Sequence, residues 1–84
     1  MNGARYSMWA RTPRGRQIER FFDTLADFNR YARTLPDNTV VTLDSRTGTR
    51  QEAYHDGRGY GVRQVSTWEP YAKYVIVEGK PRKK

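Results

Sequence analysis

The chain has 84 residues, with 16 Lys and Arg against 9 Asp and Glu and a formal net charge of +7. That length holds one domain, and a hydrophobic share of 36% leaves a small core for two Trp, six Tyr and three Phe to fill. The lack of Cys excludes disulfides and thiolate metal sites, the single His excludes a His-rich metal centre, and no apolar run has the length of a membrane span.

Arg5–Arg11 alternates loosely, with Tyr6, Met8, Trp9 and Ala10 apolar, and is expected as a strand. Thr12-Pro13-Arg14-Gly15-Arg16 supplies turn residues, and Gln17–Phe22 is the antiparallel return strand. Thr24-Leu25-Ala26-Asp27 resembles a capping box, with Thr24 as N-cap. Leu25, Phe28, Ala32 and Leu35 then form a stripe of helical period. Pro36 ends that helix, because it disfavours helical geometry at Leu35. Thr39–Asp44 is rich in β-branched residues and reads as the third strand, and Ser45-Arg46-Thr47-Gly48 as a hairpin turn. Thr49–His55 and Val62–Trp68 are strands on either side of a glycine-rich loop, Asp56–Gly61. Glu69-Pro70 breaks the last of these, and Tyr71–Glu78 adds one more strand.

The expected fold is therefore α+β, ββαβββ, or one strand more where Tyr71–Glu78 is counted, an antiparallel sheet with one helix packed on one face. One domain covers residues 4–78, and the basic segment at 79–84 is expected as a disordered tail. Met1–Trp9 lacks the apolar centre of a secretory signal, so the expected location is the cytoplasm. Trp9, Phe22 and Phe28 are expected in the core.

Twelve of the cations are Arg, whose planar forks pair with phosphate and carboxylate and stack on rings. Arg14 and Arg16 crowd the first turn, and Arg58 sits between glycines in the second. Turn tips are where binding residues concentrate, and the Arg14–Arg16 pair is favoured because its charges are closer together. Gly57-Arg58-Gly59-Tyr60-Gly61 resembles nucleic-acid-binding low-complexity segments, but one short copy reads first as a turn that needs glycines. Tyr54, Tyr60 and Tyr74, with Arg63, form a further aromatic and cationic set. Such a set suits stacked bases and phosphates, or a protein interface. His55 beside Asp56 is the one conceivable catalytic pair, but neighbours on a strand point to opposite faces. The chain is accordingly read as non-catalytic, without metal or small-molecule cofactor.

The run Gln17–Phe28, preceded by a strand and followed by Leu35-Pro36 and a new strand, resembles the β-β-α-β layout of small phage-encoded inhibitor proteins. Anti-CRISPR proteins and phage inhibitors of bacterial RNA polymerase are among those that share it. The resemblance spans about residues 5–44 and rests on layout. It implies a non-catalytic protein in the host cytoplasm that occupies a surface of a host nucleic-acid machine. Many such inhibitors are acidic DNA mimics, and this chain is basic. The partner it implies is a host nucleoprotein complex or an acidic protein surface, with no membrane involved. Direct DNA or RNA binding is the second reading, and a small toxin-type ribonuclease the third. The residues expected to meet the partner are Arg14, Arg16, Tyr54, Arg58, Tyr60, Arg63 and Tyr74.

Overall fold

The computed structural model describes residues 4–84; of the amino-terminal stretch read as lacking a signal, residues 1–3 lie outside them. Strands β1 (Tyr6–Arg11) and β2 (Gln17–Phe22) precede helix α1 (Leu25–Ala32), which is followed by β3 (Val40–His55), β4 (Tyr60–Val77) and β5 (Lys80–Lys83). Every neighbouring pair is antiparallel, in the order β2-β1-β3-β4-β5. Among the described residues the class is α+β with one helix, as expected.

The helix forms where its local signals place it. Thr24 Oγ1 accepts the Asp27 N–H at 3.1 Å, satisfying one of the donors left free at a helix start. Asp27 and Arg30 pair on the outer face at 3.4 Å. Phe28, Ala32 and Leu35 are buried, and Leu25 is half-buried. They pack on Met8, Ala10, Val41, Leu43 and Ile76. Met8 pairs with Leu43 and Ala10 with Val41 across β1 and β3, so these side chains share the helix face of the sheet. Rings extend this core: Phe28 lies 6.0 Å from Phe22 and 5.2 Å from Tyr74, and Phe22 lies 5.7 Å from Tyr31. The one buried polar side chain among the described residues, Thr39, donates to the Pro36 carbonyl at 2.6 Å.

The strands after the helix are drawn differently from the expectation. Ser45–Gly48 is not a turn, because β3 runs straight through it, and the extra residue is absorbed as a register shift between Arg46 and Gly48. Glu69-Pro70 does not end a strand either. A second irregularity, between Leu43 and Asp44, takes up the kink opposite it. Pro70 lies where β4 has no outer neighbour, since β5 pairs only with Tyr74–Val77, so its missing N–H breaks no ladder there. The segment expected as a disordered tail is instead the edge strand β5. It is brought back by a two-residue turn, with Glu78 at φ 52° and Gly79 at φ 74°. The Asp37 carboxylate holds this turn by accepting the Gly79 N–H at 2.9 Å.

Two outcomes test this packing. Phe28→Ala should cost about 3–5 kcal/mol, read as a large fall in the urea midpoint. Burial, aided by the neighbouring Tyr71 and Tyr6, raises the Tyr74 phenol above its ordinary value of 10.0. The native state therefore favours the neutral phenol. That contribution is complete below the unfolded value and is lost as pH rises through the folded one. Urea midpoints measured on both sides of pH 10.0 should fall less for Tyr74→Phe than for the wild type, and equal falls would show that Tyr74 is not desolvated.

Candidate partner-binding surfaces

The pairing of β1 with β3 begins at Ser45, and only β3 and β4 continue beyond it. Arg46 is still tied to the body, its N–H donating to the Arg5 carbonyl at 2.8 Å; beyond it Thr47–His55 and Tyr60–Thr67 form a two-stranded ribbon. At about 3.3 Å per residue it reaches about 30 Å from the body. The radius of gyration is 15.8 Å, against about 12 Å for a compact chain of this length.

Alternation sorts the ribbon into two faces. Arg50, Glu52, Tyr54, Arg63 and Val65 share one. There Glu52 bridges two guanidinium groups, Arg50 at 3.2 Å and Arg63 at 3.7 Å, and Arg63 lies 5.6 Å from the Tyr54 ring centre. Tyr54 lies across Gly61, where a Cβ would meet the ring at 2.6 Å. This glycine thus lets a ring cover a ribbon that has no core beneath it. The other face carries Thr49, Gln64 and, towards the tip, His55 and Tyr60, whose rings lie 4.8 Å apart. The tip is a short turn: Asp56 Oδ1 accepts the Arg58 N–H at 2.9 Å, and His55 Nδ1 accepts the Gly57 N–H at 3.4 Å. Tyr60 is 87% exposed.

Tyr54, Arg58, Tyr60 and Arg63 all lie in the outer half of the ribbon, Tyr54 and Arg63 on one face, Tyr60 on the other and Arg58 in the tip. Arg14 and Arg16 are not with them. Their turn follows Arg11, which pairs with Val40 at the start of β3, whereas the ribbon tip follows the end of β3. The two basic turns thus stand at opposite ends of a molecule 52 Å long. Arg14 and Arg16 flank a cleft of about 470 Å³, floored by Ile18, Tyr31 and Leu35. Tyr74 belongs to neither place. Its ring is half-buried on Phe28, on the helix side of the sheet, apart from both basic turns.

A further surface lies on the helix-free side of the sheet. Trp9, expected in the core, is 47% exposed, and Phe21 is 56% exposed. Both lie on the sheet face opposite the helix, because Met8 and Ala10 occupy the other parity of β1 and Phe22 that of β2. Strict parity along Tyr6–Ala10 is the signal that locates Trp9. Among the described residues no group of three or more His, Asp or Glu is placed to hold a metal ion, and no helix is long and apolar enough to cross a membrane.

Comparison with known protein families, with characterised proteins and with solved structures returns no match. The surfaces themselves carry the functional reading.

The Tyr54 ring over Gly61 is directly observable. The Gly61 α-protons should be shifted upfield in the NMR spectrum, and Tyr54→Leu should return them to ordinary positions. Unshifted protons in the wild type would place the ring elsewhere.

Proposed function

We propose that this is a non-catalytic binding protein that occupies an anionic surface of a nucleic-acid machine, in the style of small phage-encoded inhibitors. The observation that carries the reading is the free ribbon. A two-stranded hairpin without cover is marginal in water, and this one exposes Tyr54, Tyr60 and Val62 to solvent. Folding of the body does not account for those side chains, whereas insertion of the ribbon into a partner's groove does. Its width suits such insertion, as two-stranded ribbons enter grooves of macromolecules as single units. The net charge of +7 supplies the long-range attraction, and the exposed ring and guanidinium groups are the types that dominate interface energies.

The test is capture from a bacterial lysate with and without nuclease, using three forms of the full chain. The wild type should retain its partner after nuclease treatment. Arg58→Glu combined with Arg63→Gln, which sets no second carboxylate opposite Glu52, should lose it while the thermal midpoint hardly moves, since exposed substitutions typically change stability by no more than about 0.5 kcal/mol. Arg14→Glu combined with Arg16→Glu, at the far end, should retain it. Loss in the second pair alone would move the contact to the cleft beside the first turn. Loss on nuclease treatment would favour direct nucleic-acid binding, the second reading, for which a separate surface speaks.

A further inference from the structure

The sheet face without the helix carries its own chemistry, independent of the ribbon. Cross-strand register places side chains on it in rows. One row runs Gln17, Arg11, Val40, Val75 and Arg82 across all five strands. The next runs Glu19, Trp9, Thr42 and Lys73. Phe21 stands two residues beyond Glu19 on β2, diagonal to Trp9, and lies 6.0 Å from the Trp68 ring.

Between Trp9, Arg11, Gln17, Val40 and Thr42 is a notch of about 170 Å³. A cavity of about 150 Å³ admits a benzene ring, so this notch has room for one planar ring. It offers the Trp9 indole as a wall, the Gln17 amide as a donor and acceptor for a ring's polar edge, and the Arg11 guanidinium at its rim. Val40, 41% exposed, adds an apolar side.

The charges around it are unbalanced. Arg11, Lys73, Lys80 and Arg82 share this face with Glu19 and Asp44. Among the described residues no ion pair engages any of these four cations. Arg11 and Arg82 are three strands apart, about 14 Å, and Lys73 lies one row inward. That is a cationic track beside exposed rings, the combination that holds a single strand by its phosphates while its bases stack. A second copy of the chain would bring the same cation surplus against itself, so charge disfavours self-packing of this face.

The geometry points to the helix-free sheet face as a platform for single-stranded nucleic acid, with one base in the notch beside Trp9, a second against Phe21, and phosphates on Arg11, Lys73 and Arg82. Duplex is the weaker ligand, because its bases are stacked on one another and cannot enter the notch. The platform does not depend on the ribbon, which projects from one end of the sheet while the notch opens at the other.

The experiment is anisotropy titration of the full chain into labelled oligo-dT and oligo-rU of about 12 nucleotides, a length within the span of one small binding domain. A mixed-sequence duplex of equal length is the comparison. Both single strands should bind more tightly than the duplex, and a preference between them reports whether the 2′-hydroxyl is read. Trp9→Ala and Phe21→Ala should each weaken single-strand binding by about fivefold or more. Because about half of each side chain is buried, the thermal midpoint should fall by several degrees, and affinities are compared well below it, where each variant is folded. Arg11→Glu with Lys73→Glu should flatten the dependence of log K on log salt by about 1.4, because two phosphates are no longer neutralised. In a Trp68→Phe background, Trp9 fluorescence should be quenched as the oligonucleotide is added. Arg58→Glu with Arg63→Gln also lowers the net charge, and should weaken these affinities far less than Arg11→Glu with Lys73→Glu, which separates this platform from the ribbon reading. Equal affinity for duplex, unchanged binding in Trp9→Ala, or self-association abolished by Trp9→Ala without any effect of oligonucleotide would each overturn the proposal.

Discussion

A single short helix has to serve a five-stranded sheet, and the rest of the structure follows from that mismatch. Leu25–Ala32 is about 12 Å long at 1.5 Å per residue, while five strands span about 19 Å between their outer axes and the longest run far past the body. The helix lies across one face within reach of both edge strands, β2 and β5, and Phe28 packs in the core with Met8, Val41, Leu43 and Ile76. It leaves the opposite face uncovered, together with the ribbon beyond Arg46. The core is therefore one-sided, and the exposed rings are a consequence of topology before they are a matter of function.

The uncovered parts are stabilised by local means. In the ribbon these are cross-strand pairs, the Tyr54 ring over Gly61, and the Arg50–Glu52–Arg63 bridge. Exposed ion pairs of this kind contribute little, about 0–1 kcal/mol each. The bridge thus orients guanidinium groups more than it stabilises the fold. At the sheet edge, β5 carries Lys80, Arg82 and Lys83, and cations on an edge strand deter other chains from adding to it. Part of the basic surplus has this protective role, and a surface can serve both ends.

Distance organises the rest of the charge. The basic turn at Arg14 and Arg16, the platform around Trp9 and the ribbon tip at Arg58 succeed one another along a molecule 52 Å long. Spreading cations this way limits their mutual repulsion, which is screened beyond about 8–10 Å at ordinary ionic strength. It also means that no one small ligand touches all of them. An extended partner, a strand or a large assembly, is the kind that would.

Local signals in the sequence determined the helix, because capping, stripe and stop act within a few residues: Thr24, the Leu25–Leu35 spacing and Pro36 act without regard to the remainder of the chain. They also determined the first hairpin, whose Thr12–Arg16 turn has Gly15 at φ 87° where the chain needs it, and the sign of the surface. What escaped was set by pairing between distant strands. Ser45–Gly48 carries turn residues, yet β4 lies alongside and absorbs them as a bulge. Lys80–Lys83 looks like a solvated end, yet a turn with Glu78 at positive φ, a conformation its side chain disfavours, returns it to the sheet edge. Trp9 has the composition of a core residue. Only the parity shared by Met8, Ala10 and the helix face turned it outward, and no second helix among the described residues covers that face. The sequence determined which pieces form, because their causes are local. The tertiary structure decided which pieces merge, which ring is buried and which cations share a surface, because those depend on what lies across the sheet.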